Sequence, residues 1–395
     1  MIDRKIEPIF RDLTSQYPVV TLTGPRQSGK TTLCRKVFPD MAYVNLERPD
    51  VREYAATDPL GFLSAYENGV IIDEIQRVPD LVSYIQSIVD ERRSPGQFIL
   101  TGSQQFEVMN TINQSLAGRT ALLKLLPFTI SEVNKIMPPE SLDMMLLKGF
   151  YPRIHDQKLN PTQALGDYYE TYIERDLRQL MSVRDLSLFQ KFVRLCAGRI
   201  GQVFNMQSLA NDAGVSHTTV RHWISILEAS YIIILLKPWY GNVSKRLIKS
   251  PKLYFYDVGL ATYLLGMESE THVSRDPLRG NLFENLALIE AIKYRFNKGG
   301  KNVVTFYRDS RGNEVDMVFE SGLDVFPVEV KAGATIAEDF FKGLKHFSRV
   351  AGEFSHGCGL IYGGDEFQQR GKTRIYPVSA MEKMFDALNR EDFVY

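Results

Sequence analysis

The sequence predicts an α/β protein organised around a parallel sheet, and three features carry that expectation. Short apolar, β-branched runs alternate with amphipathic segments from about residue 16 to 130, the pattern of strands covered by helices on both faces. One of these runs leads straight into Gly24-Pro25-Arg26-Gln27-Ser28-Gly29-Lys30-Thr31, a full match to the phosphate loop Gly-x-x-x-x-Gly-Lys-[Ser/Thr]. A second block of strands and helices occupies the last third of the chain, beyond a helical middle.

The first strand is Pro-Val-Val-Thr-Leu-Thr at 18–23, and residues 32–38, beginning with Thr32, read as the helix after the loop. Strand, loop and helix in that order are the setting the motif needs. Gly24 and Gly29 let the loop's backbone N–H groups turn inward around a β-phosphate, and the helix start adds its positive dipole end. Lys30 reaches the β- and γ-phosphates, and the Thr31 hydroxyl is a ligand for Mg²⁺.

Strands at 41–46 and 69–72 follow, the second ending in Asp73-Glu74. Asp73 is placed to orient the Mg²⁺ shell and Glu74 to polarise an attacking water. The plain alternative is a solvated strand end; two matching half-sites in the right order favour chemistry. The next strand, 97–100, ends in Thr101-Gly102-Ser103, where Thr101 or Ser103 is a candidate to sense the γ-phosphate or position the water. Arg119, just before a strand at 121–126, is a candidate arginine finger in cis or from a neighbouring subunit, or else an ordinary salt-bridge arginine. No guanine-specific Asn-Lys-x-Asp stands out, and the adenine pocket is not legible.

At 395 residues the chain is expected to form two or three domains. Forty-seven basic and forty-seven acidic residues cancel, so any polyanion site must be a local patch. Cys34, Cys196 and Cys358 are far apart with no Cys-x-x-Cys pair, which fits reduced thiols in the cytoplasm and gives no zinc signal. The longest apolar run, 231–236, is too short to span a bilayer, so no membrane partner is expected.

Pro127 and Pro138-Pro139 punctuate the end of the first block, and the pattern turns helical, notably at 163–181 and 186–200. Residues 205–224 have helix-turn-helix spacing: Leu209 and Ala210 pack the first helix, Gly214 makes the turn and Ser216 caps the second. His217, Thr218, Arg221 and His222 share its outer face and suit a DNA major groove. Residues 231–242 read as a hairpin wing, with Lys245, Arg246 and Lys249 after it. The same architecture also serves protein–protein contacts, and both readings stand.

In the last third, Glu284 lies on a helix over 281–295, and strands are expected at 303–308, 314–319 and 325–331. Asp316, Glu329 and Lys331 then share a sheet face among apolar neighbours. Buried carboxylates beside a lysine require a metal or closed ion pairs. Glu284, Asp316 and Glu329 are candidates to hold Mg²⁺ or Mn²⁺ with Lys331 stabilising a phosphate; a structural ion-pair network is the equal alternative.

Together with Ile-Asp-Glu-Ile-Gln at 72–76, Leu-Thr-Gly-Ser at 100–103 and Leu-Ala-Gly-Arg at 116–119, the phosphate loop resembles that of the AAA-type ATPases of bacteria and archaea. More particularly it resembles the group with a C-terminal domain of unknown function, as do Tyr-Ile-Glu-Arg-Asp-Leu at 172–177, the run Lys-Ser-Pro-Lys-Leu-Tyr-Phe-Tyr-Asp-Val-Gly-Leu-Ala at 249–261, Gly-Asn-Leu-Phe-Glu-Asn at 280–285 and Val-Glu-Val-Lys at 328–331. The resemblance implies an AAA-type P-loop core over 1–135, a helical connector over 136–200, a winged helix over 201–265 and, over 266–395, an α/β domain like the PD-(D/E)XK restriction-endonuclease fold. It also implies ATP and Mg²⁺ as ligands, DNA as partner, and a closed homo-oligomer, with a hexameric ring favoured and Arg119 acting in trans. Where those nucleases carry Pro-Asp, this chain shows Glu-Val-Asp at 314–316. Three functions remain open: an ATPase acting on duplex or branched DNA, a nucleotide-gated switch binding protein partners, and a metal-dependent nuclease.

Overall fold

The computed structural model describes residues 2–102, 115–171, 186–240, 249–321, 324–352, 355 and 357–389. It resolves two compact units, the first formed by Met1–Phe128 with Ala229–Tyr231 and Arg295–Lys301. That unit holds a fully parallel five-stranded sheet in the order β2-β3-β4-β1-β5. Its strands are β1 (Val19–Thr23), β2 (Ala42–Asn45), β3 (Val70–Asp73), β4 (Phe98–Gly102) and β5 (Thr120–Lys124). Both faces are buried, as alternation in the strands requires. Val19, Val70, Ile72 and Leu100 pack into one core, while Val20, Ile71 and Ile99 pack into the other. Each such side chain contributes about 1.5–3 kcal/mol on burial, so the sheet is a rigid platform for the loops at its carboxyl ends.

The order matters for the site. β4 lies between β1 and β3, so the loop after β1 and the carboxylate ending β3 flank the end of β4. Ligands of open parallel sheets bind at these carboxyl ends. The first compact unit runs to Phe128, and Thr129 caps the helix Ile130–Val133 at the start of the second. A capping box with Glu132 and a 3.0 Å bond from the Ile130 amide to Glu290 fix that start.

In the second unit, helices Leu186–Ala197, Met206–Ala213 and His217–Ala229 follow one another. Asn205 caps the second through the Ser208 amide at 2.9 Å, Gly214 turns with φ 76°, and Ser216 accepts from the Thr219 amide at 3.0 Å. Trp223 sets its ring edge-on to Phe189 and Phe192, closing the core of this segment. The expected hairpin takes a different form: β6 (Ile233–Leu236) pairs antiparallel with β7 (Lys252–Phe255), not with residues directly after a tight turn. The expected helix at 163–181 is described only as far as residue 171, with the α-helix Pro161–Tyr168 as its first part, and the 172–177 motif lies outside the described residues.

The C-terminal part is a mixed six-stranded sheet in the order β12-β13-β11-β10-β9-β8. Its strands are β8 (Thr305–Arg308), β9 (Glu314–Ser321), β10 (Asp324–Lys331), β11 (Cys358–Tyr362), β12 (Gln368–Arg370) and β13 (Thr373–Pro377). The long helix Arg279–Asn297 precedes it, and Lys342–Ala351 packs Leu344 and Phe347 into its core.

Candidate nucleotide site

The loop between β1 and helix Lys30–Val37 is shaped by its glycines. Gly24 has φ 146°, and a Cβ there would stand inside contact distance of the Leu125 carbonyl oxygen. Gly29 has φ 90° and serves as N-cap, the left-handed step that starts the helix. Pro25 and Ser28 are buried within the loop, Arg26 is half-buried, and Gln27 (φ 60°) and Thr32 are exposed. Lys30 is 6% exposed and folds over the loop, donating to the carbonyls of Gly24 (3.0 Å) and Pro25 (2.8 Å). Burial pushes its ammonium down to about 8, against the opposing pull of Glu74 and Asp73.

Asp73, at the end of β3, gathers the rest of the corner. Its Oδ2 accepts from the Thr31 hydroxyl at 2.7 Å and from the Tyr43 phenol at 2.8 Å, and its Oδ1 accepts from Thr101 at the end of β4. Thr101 therefore orients the carboxylate. Glu74 follows with φ 58° and ψ 47°, a left-handed conformation costing a non-glycine residue about 1–3 kcal/mol. Strain of this kind is retained where the surroundings over-determine it; here Gln76 donates to the Glu74 carboxylate. Burial raises Glu74 above the usual carboxylate range, with Lys30 and Arg26 opposing. Gly24, Lys30, Thr31, Asp73 and Glu74 thus meet in one place, and Ser103 lies outside the described residues.

Arg119 is not in that corner, which corrects the expectation of a finger in cis. It precedes β5, and Thr120 pairs with Val19 at the start of β1, whereas the loop follows Thr23 at the other end. A strand's length, about 15 Å at ~3.3 Å per residue, separates them. Arg119 instead forms a two-pronged pair with Asp90, at 2.6 and 2.8 Å.

Glu284 and Asp316 do meet in the second unit, but in different company from that expected. Glu284, Glu314 and Asp316 converge. Lys331 links Glu329, at 2.6 Å, to Asp316 Oδ2, at 3.9 Å. The ammonium of Lys252 binds Glu284 at 2.7 Å and also pairs with Glu314. On the helix His217–Ala229, Thr218, Arg221 and His222 are exposed and His217 half-buried; Lys245 and Arg246 lie outside the described residues.

Comparison with known proteins agrees with this layout. Residues 16–134 match the AAA domain, residues 139–271 the domain of unknown function DUF8612, and residues 279–381 the domain of unknown function DUF4143. Uncharacterized proteins of Mycobacterium tuberculosis and Mycobacterium bovis are each 31% identical over 331 residues, covering 82% of this chain and 73% of theirs. The chain belongs to their family, AAA-type ATPases with a C-terminal DUF4143 domain. An uncharacterized protein of Methanocaldococcus jannaschii is 24% identical across 95% of this chain and 85% of its own. Among solved structures, the Walker-type ATPase of Pyrococcus abyssi overlaps 67% of this chain and 96% of its own at 15% identity, with a TM-score of 0.45.

Four residues around these AAA-type and DUF4143 sites escaped the sequence reading. Tyr43 lies on the same face of the sheet as Asp73, since it pairs with Ile71 two positions earlier on β3; strand parity could have found it. Arg4, 7% exposed, donates to the Ser28 carbonyl in the phosphate loop at 2.9 Å and to the Leu126 carbonyl beyond β5 at 2.7 Å, with its guanidinium over Phe128. Nothing local in the sequence marks it. Glu314 shares a face with Asp316 by the same two-residue period, and Lys252 lay unread inside the 249–261 motif.

Proposed function

We propose that this protein binds ATP with Mg²⁺ at the 24–31 loop and hydrolyses it, and that turnover acts on duplex or branched DNA through residues 201–265, read as a winged helix. The observation that carries the nucleotide half is the Thr31–Asp73 pair, two hard oxygens 2.7 Å apart at the carboxyl ends of the sheet. Thr31 and Asp73 are the residues that would hold Mg²⁺, whose chemistry there is to neutralise charge on the β- and γ-phosphates. Lys30 exchanges two neutral carbonyls for phosphate oxygens, a gain in hydrogen-bond strength on binding. Glu74 is the base for the attacking water, its affinity for protons raised by burial.

Arg119 lies at the far end of its own sheet, which supports a finger offered to a neighbouring copy in a ring, hexameric by preference. The exposed Thr218 and Arg221, with His217 beside them, support the DNA face; Lys245 and Arg246, read in sequence as its basic partners, lie outside the described residues. A nucleotide-gated switch is the second reading, supported by the Arg119–Asp90 pair, which would keep hydrolysis slow until assembly opens it. A nuclease at Glu284, Asp316, Glu329 and Lys331 would have to share Glu284 with the Lys252 ammonium.

ATP hydrolysis measured with single-stranded, duplex and junction DNA tests the proposal. Turnover that rises with duplex or junction DNA and vanishes in Lys30→Ala is the expected result. Turnover indifferent to every DNA form overturns the DNA half and favours the switch; wild-type turnover in Lys30→Ala overturns the site.

A further inference from the structure

The run 249–261 has no part in the nucleotide site, yet it supplies a deeply buried cation to the second unit. Lys252 stands on β7 with a side chain 2% exposed. Its ammonium donates to Glu284 Oε1 at 2.7 Å, pairs with Glu314 Oε1 and lies 4.0 Å from Asp316 Oδ1. Among the described residues, these three carboxylates form a group whose oxygens come close enough together to hold a metal ion. Tyr254, two positions on and so on the same face of β7, gives its phenol proton to Glu284 as well.

We infer that Lys252 is the resident cation of this cluster: its ammonium stands where a divalent ion would stand, and the site is an ion-pair lock rather than a cutting centre. A metal needs the lone pairs of Glu284 and Glu314 at roughly 2.0–2.2 Å. The ammonium already uses those oxygens, and both cations cannot be seated at once. Nor does the lysine have an easy way out. Withdrawing a buried ammonium leaves converging carboxylates uncompensated, the arrangement low-dielectric interiors tolerate least.

Most of the surrounding carboxylate oxygens are paired, while Glu329 Oε2 is buried without a hydrogen-bond partner among the described residues. Asp316 Oδ2 accepts from the Val330 amide at 2.8 Å, Arg308 holds Glu314 Oε2 at 2.6 Å, and Lys331 holds Glu329 Oε1 at 2.6 Å. Lys252 from β7, Glu284 from helix Arg279–Asn297 and Glu314 from β9 therefore tie three elements through one charge. Glu284, Glu314 and Asp316 do not fit a metal centre while Lys252 is in place.

Mn²⁺ uptake by the nucleotide-free full chain tests this independently of ATP turnover. Crystals of the wild type soaked in Mn²⁺ should give no anomalous peak among Glu284, Glu314 and Asp316. Lys252→Met should gain a peak there and a saturable Mn²⁺ site in calorimetry, and Lys252→Met/Asp316→Asn should lose both. A peak at the cluster in the wild type overturns the inference, and this arm needs no variant to fold. A folded Lys252→Met that takes up no Mn²⁺ overturns it equally.

Discussion

Tyr43 donates its phenol proton to the same oxygen of Asp73 that accepts from Thr31. The carboxylate that would carry Mg²⁺ is thus held from β2 as well as from the loop helix, and Arg35 stacks its guanidinium over the Tyr43 ring. A carboxylate with fixed partners is pre-oriented, so less order is lost when its ligands arrive.

Removing that phenol isolates its contribution. Tyr43→Phe keeps the ring and deletes one hydrogen bond to a charged acceptor, a loss of about 1.5–3 kcal/mol at most and less at a half-exposed position. ATP hydrolysis titrated with Mg²⁺ should show the half-saturating concentration raised about 3- to 10-fold, with the rate at saturating Mg²⁺ nearly unchanged. An unaltered Mg²⁺ dependence would show that Thr31 and Thr101 orient Asp73 without help.

Arg4 clamps the phosphate loop from the amino-terminal side. Arg4→Met leaves the Ser28 and Leu126 carbonyls without their charged donor, at a cost of about 2–3 kcal/mol for two charge-assisted bonds. Calorimetric ATP titration should give a dissociation constant weakened at least 10-fold, and Arg4→Lys should recover part of it. Equal affinity in Arg4→Met and wild type would confine Arg4 to general stability.

Much of this corner was legible because it is written in consecutive residues. The loop and the Asp73-Glu74 strand end each carry their signal locally, and the order of the two halves added the rest. Arg4 and Lys252 were not legible, because their roles arise from contacts far along the chain, and Tyr43 was legible only through strand parity combined with the pairing of β2 and β3. Arg119 is intermediate. A residue preceding a parallel strand lies at the opposite end of the sheet from one following it, so its distance from the loop was implicit once both strands were recognised.

The pH dependence follows from Lys30 and Glu74. Burial holds the free protein's Lys30 near 8, so raising the pH through about 8 removes the charge that meets the phosphates. kcat/KM, which reports the free protein, should fall above pH 8. kcat should persist to higher pH, because bound phosphates favour the ammonium. On the acid side the loss belongs to Glu74, at a pH above its ordinary 4.5 since burial raises it. A kcat/KM flat from pH 7 to 10 would contradict the assignment of Lys30.

The central claim is that the Lys30–Thr31–Asp73 corner holds a triphosphate with Glu74 as its base, and Glu74→Gln separates holding from hydrolysis. ATP binding and ATP turnover measured side by side in that variant are the most direct test. Binding should stay within about 3-fold of wild type and turnover should fall at least 100-fold, within the range of a general base's contribution. Undiminished turnover in Glu74→Gln, or loss of both turnover and binding, would contradict it.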